Sequence, residues 1–440
     1  GMLVIDENRL MGTAAYHLAP LKAILRRDRN HPSIVLWSIG NEEWRIEGND
    51  VGGRIAAAMQ AEVKRIDPTR PVTAAISGGW GHGISNVIEV AGLNYIDNLA
   101  KSGLTTDHWH ALHPEQPIVG TEECAINNTR GIYFDDRENC HLRAYDWDPS
   151  DWGSSVEQAW THYAARPYLA GVFIWTGFDY RGEPTPFGWP AIGSQFGLLD
   201  LCGFPKDASY YLKAWWTDQP VLHVFPHWNW PGREGQEISV WVYSNCEEVE
   251  LFLNGQSQGR KSLKKNSHLE WTVKYAPGTL LARGYQGGRE SLVTKVETTG
   301  EPAVVELTPN RSHIKADGED VSVITVRALD AAGRPVPTAA NEIAFELSGP
   351  GRIIGVGNGD PSSHEPDVFV ENPGATSSTA PAARWKRSLF NGLAQVIVQS
   401  SRQPGTLTLS AQAEGLRPGS VALQVDPTTL RAAVPAAPSE

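Results

Sequence analysis

Two pairs of adjacent glutamates are the residues of this chain best suited to chemistry, because each pair follows a run of apolar residues. The pairs are Glu42–Glu43 in "SIVLWSIGNEEW" and Glu122–Glu123 in "PIVGTEEC". Neighbouring side chains of a strand point to opposite faces, so only one member of each pair can face a common pocket. A protonated carboxyl group can donate a proton while an ionised one attacks a carbon atom. The pattern therefore indicates catalysis by two carboxyl groups that the fold brings together.

The elements that must position these glutamates are strands whose carboxyl ends carry polar or aromatic residues. Apolar runs in the first half of the chain end in this way at Asp6, Asn41, Asn94, Glu122 and Trp175. Active sites of α/β folds form at the carboxyl ends of parallel strands. One such ending would be explained by a helix cap or a turn. Five of them would line one mouth if the sheet closes.

Apolar runs alternate with helical patterns up to about residue 217. The predicted strands cover residues 1–6, 33–40, 71–76, 90–95, 117–122 and 171–176. Helical spacing is found at residues 19–28, 51–67 and 154–169. Near-continuous apolar strands separated by helices indicate a parallel sheet covered on both faces. Such a domain is either doubly wound or closed into a barrel.

The second half of the chain has the alternating pattern of antiparallel strands. Segments such as "EISVWVYS" and "LEWTVKY" alternate apolar and polar residues, and Asn254-Gly255 is a turn signal. The predicted domains are an α/β domain over residues 1–217, an immunoglobulin-like β-sandwich over 218–299, a second such sandwich over 300–425 and a disordered tail over 426–440.

The composition restricts the class of protein. The chain has 440 residues, 41% of them hydrophobic, and a formal net charge of -12. A phosphate backbone needs clustered Lys and Arg, so nucleic acid is not expected as a partner. No apolar run reaches the roughly 18 residues that span a bilayer, so no membrane span is expected. The four cysteines lack C-x-x-C spacing, which argues against a zinc site built from cysteine.

Two carboxyl groups facing each other across a mouth are the arrangement that glycosidases use. "RRDRNHPSIVLWSIGNEEW" resembles the acid/base segment of glycoside hydrolase family 2, which includes β-galactosidases, β-glucuronidases and β-mannosidases. "PIVGTEECAINNTRG" resembles the nucleophile segment of its β-galactosidase-like branch, and "FIWTGFDYRGEPTPFGWP" resembles the last barrel strand and the loop after it. The segment "GRIIGVGNGDPSSHEPD" is also similar to family sequences. The chain is identified as a C-terminal portion of a family member.

The resemblance implies a (β/α)8 TIM barrel and a retaining mechanism with a covalent glycosyl-enzyme. In the family pattern the acid directly follows Asn, so Glu42 takes the acid/base role, and the first Glu of "GTEEC", Glu122, takes the nucleophile role. Apolar burial beside Trp37 and Trp44 is expected to keep Glu42 protonated. The substrate-binding residues implied by the match are Asn41 for the sugar 2-hydroxyl, Tyr95 for holding the nucleophile, Trp175 as an aromatic wall, and Asp179 and Lys206 for other hydroxyls, with an ordinary loop ion pair as the alternative for these two.

Two positions depart from the family. Met11 stands where some members have a carboxylate that binds magnesium, and a thioether is a poor ligand for a hard cation. We therefore expect no metal, and the reaction needs no organic cofactor. Asn128-Thr129-Arg130 replaces the Asn-X-Lys motif that family β-glucuronidases use for the sugar carboxylate. This favours a β-galactosidase and leaves β-glucuronidase, kept open by Arg130, and β-mannosidase as alternatives.

The match places residues 1–6 on the third barrel strand, so the barrel is expected to contain only about strands 3–8. Open sheet edges are an aggregation hazard. Besides a β-linked oligosaccharide or glycoside, the partners left open are a missing N-terminal portion and a second copy of the chain. The alternative functions are a catalytically silent fragment with a structural or sugar-binding role, and adhesion through the β domains. The resemblance favours a periplasmic or secreted bacterial protein and leaves the cytoplasm open.

Overall fold

The computed structural model describes residues 2–369 and 385–430, and the chain divides into two compact units. The first, called here the α/β unit, contains Gly1–Asn127, Tyr145–Gly177 and Lys265–Ser267. The second, called the β-rich unit, contains Asn128–Ala144, Phe178–Lys264 and His268–Glu440. Residues 128–144 and 178–217, which the sequence pattern assigns to the first domain, therefore group with the β-rich unit.

A sheet of six parallel strands, arranged in the order of the chain, forms the centre of the α/β unit. Its strands are β1 (Val4–Glu7), β2 (Ile34–Asn41), β3 (Val72–Ile76), β4 (Val90–Asn94), β5 (Ile118–Cys124) and β6 (Leu169–Trp175). Each coincides with a predicted apolar run. Among the described residues β1 and β6 do not pair, so the sheet is open. The predicted incomplete parallel sheet is confirmed.

Helices follow most of these strands. In the described part of the α/β unit they are α1 (Ala15–Asp28), α2 (Asp50–Ile66), α3 (Ile96–Lys101), α4 (Thr106–Leu112), α5 (Val156–Ala164) and a 3-10 turn at Gly83–Asn86. Helix α2 begins where Asn49 Oδ1 accepts from the backbone N–H groups of Val51 and Gly52, at 3.0 and 3.1 Å. Helix α5 ends before the predicted residue 169 because Pro167 cannot continue it and restricts the preceding residue. The prediction of helix over the last turn of 154–169 is wrong.

The core of the α/β unit lies between the sheet and its helices. Trp37 and Ile39 of β2 and Met59 and Val63 of α2 are fully buried. Every residue of β3 and β4 is buried as well. A strand covered on both faces has little freedom to move. The sheet therefore fixes the side chains at its carboxyl ends.

Two β-sandwiches make up most of the β-rich unit. A short helix, α6 (Asp207–Trp216), precedes the first of them. This sandwich contains β7 (Leu222–Phe225), β8 (Glu237–Ser244), β9 (Glu248–Leu253), β10 (Gln256–Ser262), β11 (Leu269–Lys274), β12 (Thr279–Gln286) and β13 (Arg289–Glu297). Its sheets have the orders β10-β9-β12-β13 and β11-β8-β7. In β11, burial alternates with exposure as the sequence pattern predicts.

The second sandwich has its own core of Val, Ile and Leu side chains. Its strands are β14 (Val304–Pro309), β15 (His313–Lys315), β16 (Val321–Leu329), β17 (Glu342–Ser348), β18 (Gly351–Gly357), β19 (Trp385–Ser388), β20 (Leu393–Ser400), β21 (Gly405–Gln412) and β22 (Gly419–Asp426). They form sheets β14-β16-β20-β18 and β15-β22-β21-β17-β19. Residue 426, the first of the predicted tail, belongs to β22, and residues 431–440 lie outside the described residues.

None of the helices in the described ranges has both the length and the apolar character required to cross a bilayer.

Candidate active site

The two glutamates that follow β2, Glu42 and Glu43, form hydrogen bonds with different neighbours. Glu42 Oε1 accepts a hydrogen bond from Asn94 Nδ2 at 3.1 Å. Glu43 Oε1 instead accepts from the backbone N–H of Met11 at 3.3 Å. Glu42 has a φ of 53°, which a residue with a side chain rarely adopts. Its backbone N–H donates to Ala75 O at 3.0 Å, which helps to hold this conformation.

Glu122, at the end of β5, accepts hydrogen bonds on both carboxylate oxygens. Tyr95 Oη donates to Oε1 at 2.6 Å, and Asn94 Nδ2 lies 3.3 Å from Oε2. The backbone N–H of Tyr95 also donates to Glu122 O at 2.8 Å. The ends of β4 and β5 are therefore joined by both main-chain and side-chain bonds.

Glu123, the next residue, is fully buried and meets a different set of partners. Its Oε1 accepts from Tyr163 Oη at 3.1 Å and from the backbone N–H of Ile96 at 2.8 Å. Burial raises the pKa of Glu123 to about 8, so the carboxyl group is neutral at pH 7. Strand alternation thus separates an acid that contacts Asn94 from one that is buried among core partners.

Asn94, the last residue of β4, connects these strand ends, although the family resemblance assigns it no role. It is fully buried. Its Nδ2 lies 3.0 Å from Asn41 Oδ1, 3.1 Å from Glu42 Oε1 and 3.3 Å from Glu122 Oε2. Its Oδ1 accepts from Thr121 Oγ1 at 2.7 Å. The position of Asn94 at a polar strand end is the only signal for it in the sequence.

This shared amide limits the distance between the two glutamates. Because Glu42 Oε1 and Glu122 Oε2 lie 3.1 and 3.3 Å from one nitrogen, they can be no farther apart than the sum, about 6.4 Å. Carboxyl groups of retaining glycosidases lie about 5 to 5.5 Å apart, and those of inverting enzymes about 6.5 to 9.5 Å. The bound applies to one pair of oxygens, and the separation of the first class lies within it.

Buried titratable groups surround the pair. Burial and the nearby Glu122 carboxylate raise the pKa of Tyr95, so its hydroxyl stays protonated and remains a donor. Tyr95 also accepts a hydrogen bond from the Trp152 indole. Burial raises the pKa of Glu7, at the end of β1, and the charge of Glu42 contributes to the shift. Because interacting acids lose their protons in separate steps, neutral and ionised carboxyl groups are present together in this region.

Trp175 ends β6, next to the end of β5. It is half-buried, and its carbonyl accepts from the backbone N–H of Ala125 at 3.0 Å. Cys124 and Trp175 are register partners in the sheet. The strand pairing therefore brings Trp175 to the same sheet end as Glu122. Its role as an aromatic wall stays a prediction.

Asp179 and Lys206 belong to the β-rich unit and pair with each other there. Lys206 Nζ lies 2.8 Å from Asp179 Oδ2, and each side chain is 1% exposed. Lys206 Nζ also donates to the carbonyls of Asn128 and Gln195, at 2.8 and 3.0 Å. Burial raises the pKa of Asp179 to about 6 and lowers that of Lys206. This arrangement matches the ion-pair alternative, and their sugar-binding role stays a prediction.

The expectation that Trp44 buries Glu42 is wrong. Trp44 does not bury Glu42 as expected, because Trp44 is 70% exposed, and the Trp37 indole donates to Asp67 at 2.9 Å. Met11 is buried, and its backbone N–H bonds to Glu43. Among the described residues, no group of three or more His, Cys, Asp and Glu side chains is placed to hold a metal.

Arg130, considered above for a sugar carboxylate, is buried in the β-rich unit with every branch of its guanidinium bonded. Its Nε donates to Asp200 Oδ2 at 2.6 Å. The other nitrogens donate to the carbonyls of Asn358, Phe390 and Asn391, at 2.8, 2.8 and 3.2 Å. Four of the five N–H groups of a guanidinium are thus engaged within the protein.

Family models match most of the chain. The model described as "Glycosyl hydrolases family 2, TIM barrel domain" matches residues 4–186. "Glycoside hydrolase family 2 C-terminal domain 5" matches residues 305–422. A domain family of unknown function matches residues 235–292. The incomplete barrel and the two sandwiches thus correspond to three successive domain families.

Relatives and solved structures agree with these matches. The chain is 37% identical to β-galactosidase BoGH2A of Bacteroides ovatus, covering 91% of the chain and 50% of the relative. It is 27% identical to a β-glucuronidase of Formosa agariphila, over 90% of the chain and 38% of the relative. A crystal structure of a β-glycosidase from Bacteroides vulgatus has 28% identity and a TM-score of 0.79, covering 97% of this chain and 57% of that one. The chain spans 50% of the length of the first of these curated relatives and 38% of the second.

Proposed function

Because the chain belongs to glycoside hydrolase family 2, we propose that it carries the two catalytic carboxyl groups of a retaining β-glycosidase that acts on β-galactosides. The observation that carries this proposal is the Asn94 amide, which contacts both Glu42 and Glu122. Glu122 is the nucleophile and Glu42 is the acid and base. The proposal needs no metal and no organic cofactor.

The reaction proceeds in two steps. A Glu122 oxygen attacks the anomeric carbon, the bond to the leaving oxygen breaks, and Glu42 gives its proton to that oxygen. Glu42 then removes a proton from water, the water oxygen attacks the anomeric carbon, and the bond to Glu122 breaks. The sugar leaves with its β configuration, and both carboxyl groups return to their starting states.

The hydrogen bonds on Glu122 support its role as the ionised partner. Tyr95 Oη and Asn94 Nδ2 donate to its oxygens, at 2.6 and 3.3 Å. Donors to a carboxylate stabilise its charged form. Glu122 is therefore suited to attack at neutral pH. The bound of about 6.4 Å between the two glutamate oxygens supports retention of configuration.

The surrounding residues support binding of a pyranose. Asn41 Oδ1 already accepts from Asn94, which leaves the Asn41 NH₂ group as a donor to the sugar 2-hydroxyl. Trp175, at the neighbouring strand end, offers a ring for stacking. We also assign Asp179 and Lys206 to sugar hydroxyls on the family match alone, and their mutual ion pair is the competing explanation.

The preference for galactose rests on two observations. The relative with 37% identity is named a β-galactosidase. Arg130 donates to Asp200 and three carbonyls, so four of the five N–H groups of a guanidinium are engaged within the protein and not directed at a sugar carboxylate. β-Glucuronidases are also among the relatives, which makes the glucuronide the competing substrate, with the β-mannoside of the same family as a further alternative.

The test is hydrolysis of nitrophenyl β-galactoside, β-glucuronide and β-mannoside by the chain and its variants. We expect release of nitrophenol from the galactoside. Glu122→Gln and Glu42→Gln should each lower kcat about 10²-fold or more. Glu43→Gln is the matched control, because Glu43 is also a glutamate, is adjacent in sequence to Glu42, and accepts from the backbone N–H of Met11 instead of from Asn94. This variant should retain most of the activity.

Azide distinguishes the two roles. With Glu122→Ala, azide attacks from the vacated face and gives the α-glycosyl azide, whereas with Glu42→Ala it gives the β-glycosyl azide. The opposite assignment of products would overturn the roles. No turnover of any of the three glycosides by a folded chain would instead favour the second candidate function, a catalytically silent portion of an enzyme. The observation behind this candidate is that the chain covers 50% and 57% of the length of two relatives.

Two further proposals rest on the resemblance. We propose a periplasmic or secreted location in a bacterium, which fractionation of the source cells would test. We also propose that the β-sandwiches support the catalytic domain instead of mediating adhesion. Binding of the β-rich sandwiches to cell surfaces or immobilised polysaccharide would contradict this assignment.

A further inference from the structure

The amide of Asn94 is bonded at both of its ends. On one end, Nδ2 meets the oxygens of Asn41, Glu42 and Glu122 at 3.0 to 3.3 Å. On the other end, Oδ1 accepts from the Thr121 hydroxyl at 2.7 Å. We propose that Asn94 is a positioning residue that holds the acid/base and the nucleophile on one amide, and that Thr121 fixes the direction in which this amide faces. The inference rests on the proposed function.

The direction of the amide matters because its two ends have opposite polarity. The NH₂ end donates and the carbonyl end accepts. Two carboxyl groups within about 6.4 Å of each other repel when both are ionised. An NH₂ group between them offsets this repulsion, whereas a carbonyl oxygen would add to it. The Thr121 hydroxyl binds the carbonyl end and so keeps the NH₂ end toward the carboxyl groups.

The geometry also makes Thr121 well placed for this task. It lies on β5 directly before Glu122, and Asn94 is fully buried, so water cannot replace the hydroxyl freely. Asn94 and Glu122 are register partners of β4 and β5. The bond between Thr121 and Asn94 therefore links the two strands that carry the nucleophile and its tyrosine donor.

The reaction changes the charge on this amide's partners. When Glu122 becomes an ester, its negative charge disappears and Glu42 must become the base. A donor shared by both groups can then stabilise the Glu42 carboxylate without any movement of the backbone. Asn94 would in this way serve both half-reactions.

The experiment compares Thr121→Val, which removes the hydroxyl at nearly constant volume, with Thr121→Ser, which retains it. Thr73→Val is the structural control, because Thr73 is also a buried strand threonine, but its hydroxyl donates to the Val90 carbonyl at 2.9 Å. We expect Thr121→Val to lower kcat/KM about tenfold and to move the acidic limb of its pH profile upward by about half a pH unit or more. Thr121→Ser should restore both, and Thr73→Val should change neither.

A direct titration separates this inference from the proposed function. Carboxyl-labelled glutamate gives resonances that Glu42→Gln and Glu122→Gln assign, and their pH dependence needs no turnover. In Thr121→Val the pKa of at least one of these two groups should rise, with recovery in Thr121→Ser. Unchanged titrations in Thr121→Val would overturn the inference even if the chain is active. Shifted titrations in a chain that hydrolyses none of the three glycosides would uphold it and overturn the proposed activity.

Discussion

Glu122 has a donor on each oxygen, and the shorter of the two bonds comes from Tyr95. The Tyr95 hydroxyl lies 2.6 Å from Oε1 and stays protonated because burial and the Glu122 charge raise its pKa. Its left-handed backbone, with φ of 60°, is a strained conformation for an aromatic residue. The backbone N–H groups of Tyr95 and Ile96 donate to Glu122 O and Glu123 Oε1, and these two hydrogen bonds offset the strain.

Tyr95→Phe should therefore weaken the nucleophile without removing it. Loss of a short, charge-assisted bond raises the pKa of Glu122, because the ionised form loses a donor. We expect kcat to fall on the order of 10²-fold and the acidic limb of kcat/KM to move to higher pH. Tyr163→Phe removes a tyrosine hydroxyl from Glu123 instead and serves as the control. An unchanged acidic limb in Tyr95→Phe would contradict the assignment of Glu122 as the ionised group.

Glu123 gives a prediction about stability that is separate from catalysis. Burial raises its pKa to about 8 in the folded protein, above its ordinary value in an unfolded chain. The unfolded state therefore binds fewer protons between about pH 4.5 and 8, and the free energy of unfolding falls as pH rises through this window. Stability from the neutral carboxyl is complete below the window and lost above it.

Glu123→Gln keeps an oxygen for Ile96 and Tyr163 but cannot ionise. The free energy of unfolding of the variant should lose this pH dependence. The difference in this free energy, variant minus parent, should therefore increase by about 1 kcal/mol or more from pH 5 to pH 8. Chemical denaturation at several pH values measures the difference. Parallel stability curves for the two proteins would show that Glu123 does not titrate in this range.

At the scale of elements, Glu47 ties the loop after β2 to the end of β3. It is 1% exposed. Its Oε2 accepts from the backbone N–H of Gly78 at 2.7 Å, and its Oε1 accepts from that of Ser77 at 3.2 Å. Burial raises the pKa of Glu47 to about 7. This loop lies at the same sheet end as Glu42, so its order bears on the shape of the site.

Glu47→Gln should loosen this loop, because the amide has one acceptor oxygen and its NH₂ faces a second backbone donor. Leaving one buried N–H unsatisfied costs about 1 to 3 kcal/mol. We expect faster hydrogen exchange at Ser77 and Gly78, measured by mass spectrometry on peptic fragments. Exchange at β4, which pairs with β3 and makes no hydrogen bond to the Glu47 side chain in the described part of the chain, should stay slow. Uniformly faster exchange would mean global destabilisation instead of a local anchor.

The sequence predicts elements well where the pattern is local. Apolar runs locate all six strands of the α/β unit, because a strand buried on both faces needs a continuous apolar run. Helices α3 and α4 are left unassigned, since each has fewer than eight residues and too little periodicity. The motif locates Glu42 and Glu122, but the role of Asn94 depends on the register of β4 and β5. Register brings together residues distant in sequence, and no local pattern encodes it.

At the scale of the whole molecule, Arg130 shows how one side chain joins distant parts of the β-rich unit. Its guanidinium binds Asp200 and the carbonyls of Asn358, Phe390 and Asn391. These partners lie as many as 261 positions from it along the chain. In the sequence, the Asn128-Thr129-Arg130 segment departs from the sugar-binding motif, and Arg130 alone keeps a sugar carboxylate open. In the structure, Arg130 connects the second sandwich to residues 128–144 and 200.

Arg130→Lys should therefore be costly although the charge is conserved. An ammonium cannot reproduce the fork that reaches a carboxylate and three carbonyls, and Asp200 is fully buried. We expect the free energy of unfolding to fall by about 2 to 4 kcal/mol. Arg283→Lys is the control, because its ion pair with Glu290 in the first sandwich is about half exposed on both sides, and such pairs contribute about 0 to 1 kcal/mol. Urea denaturation followed by tryptophan fluorescence measures both, and equal losses in the two variants would mean that the buried fork does not hold the β-rich unit together.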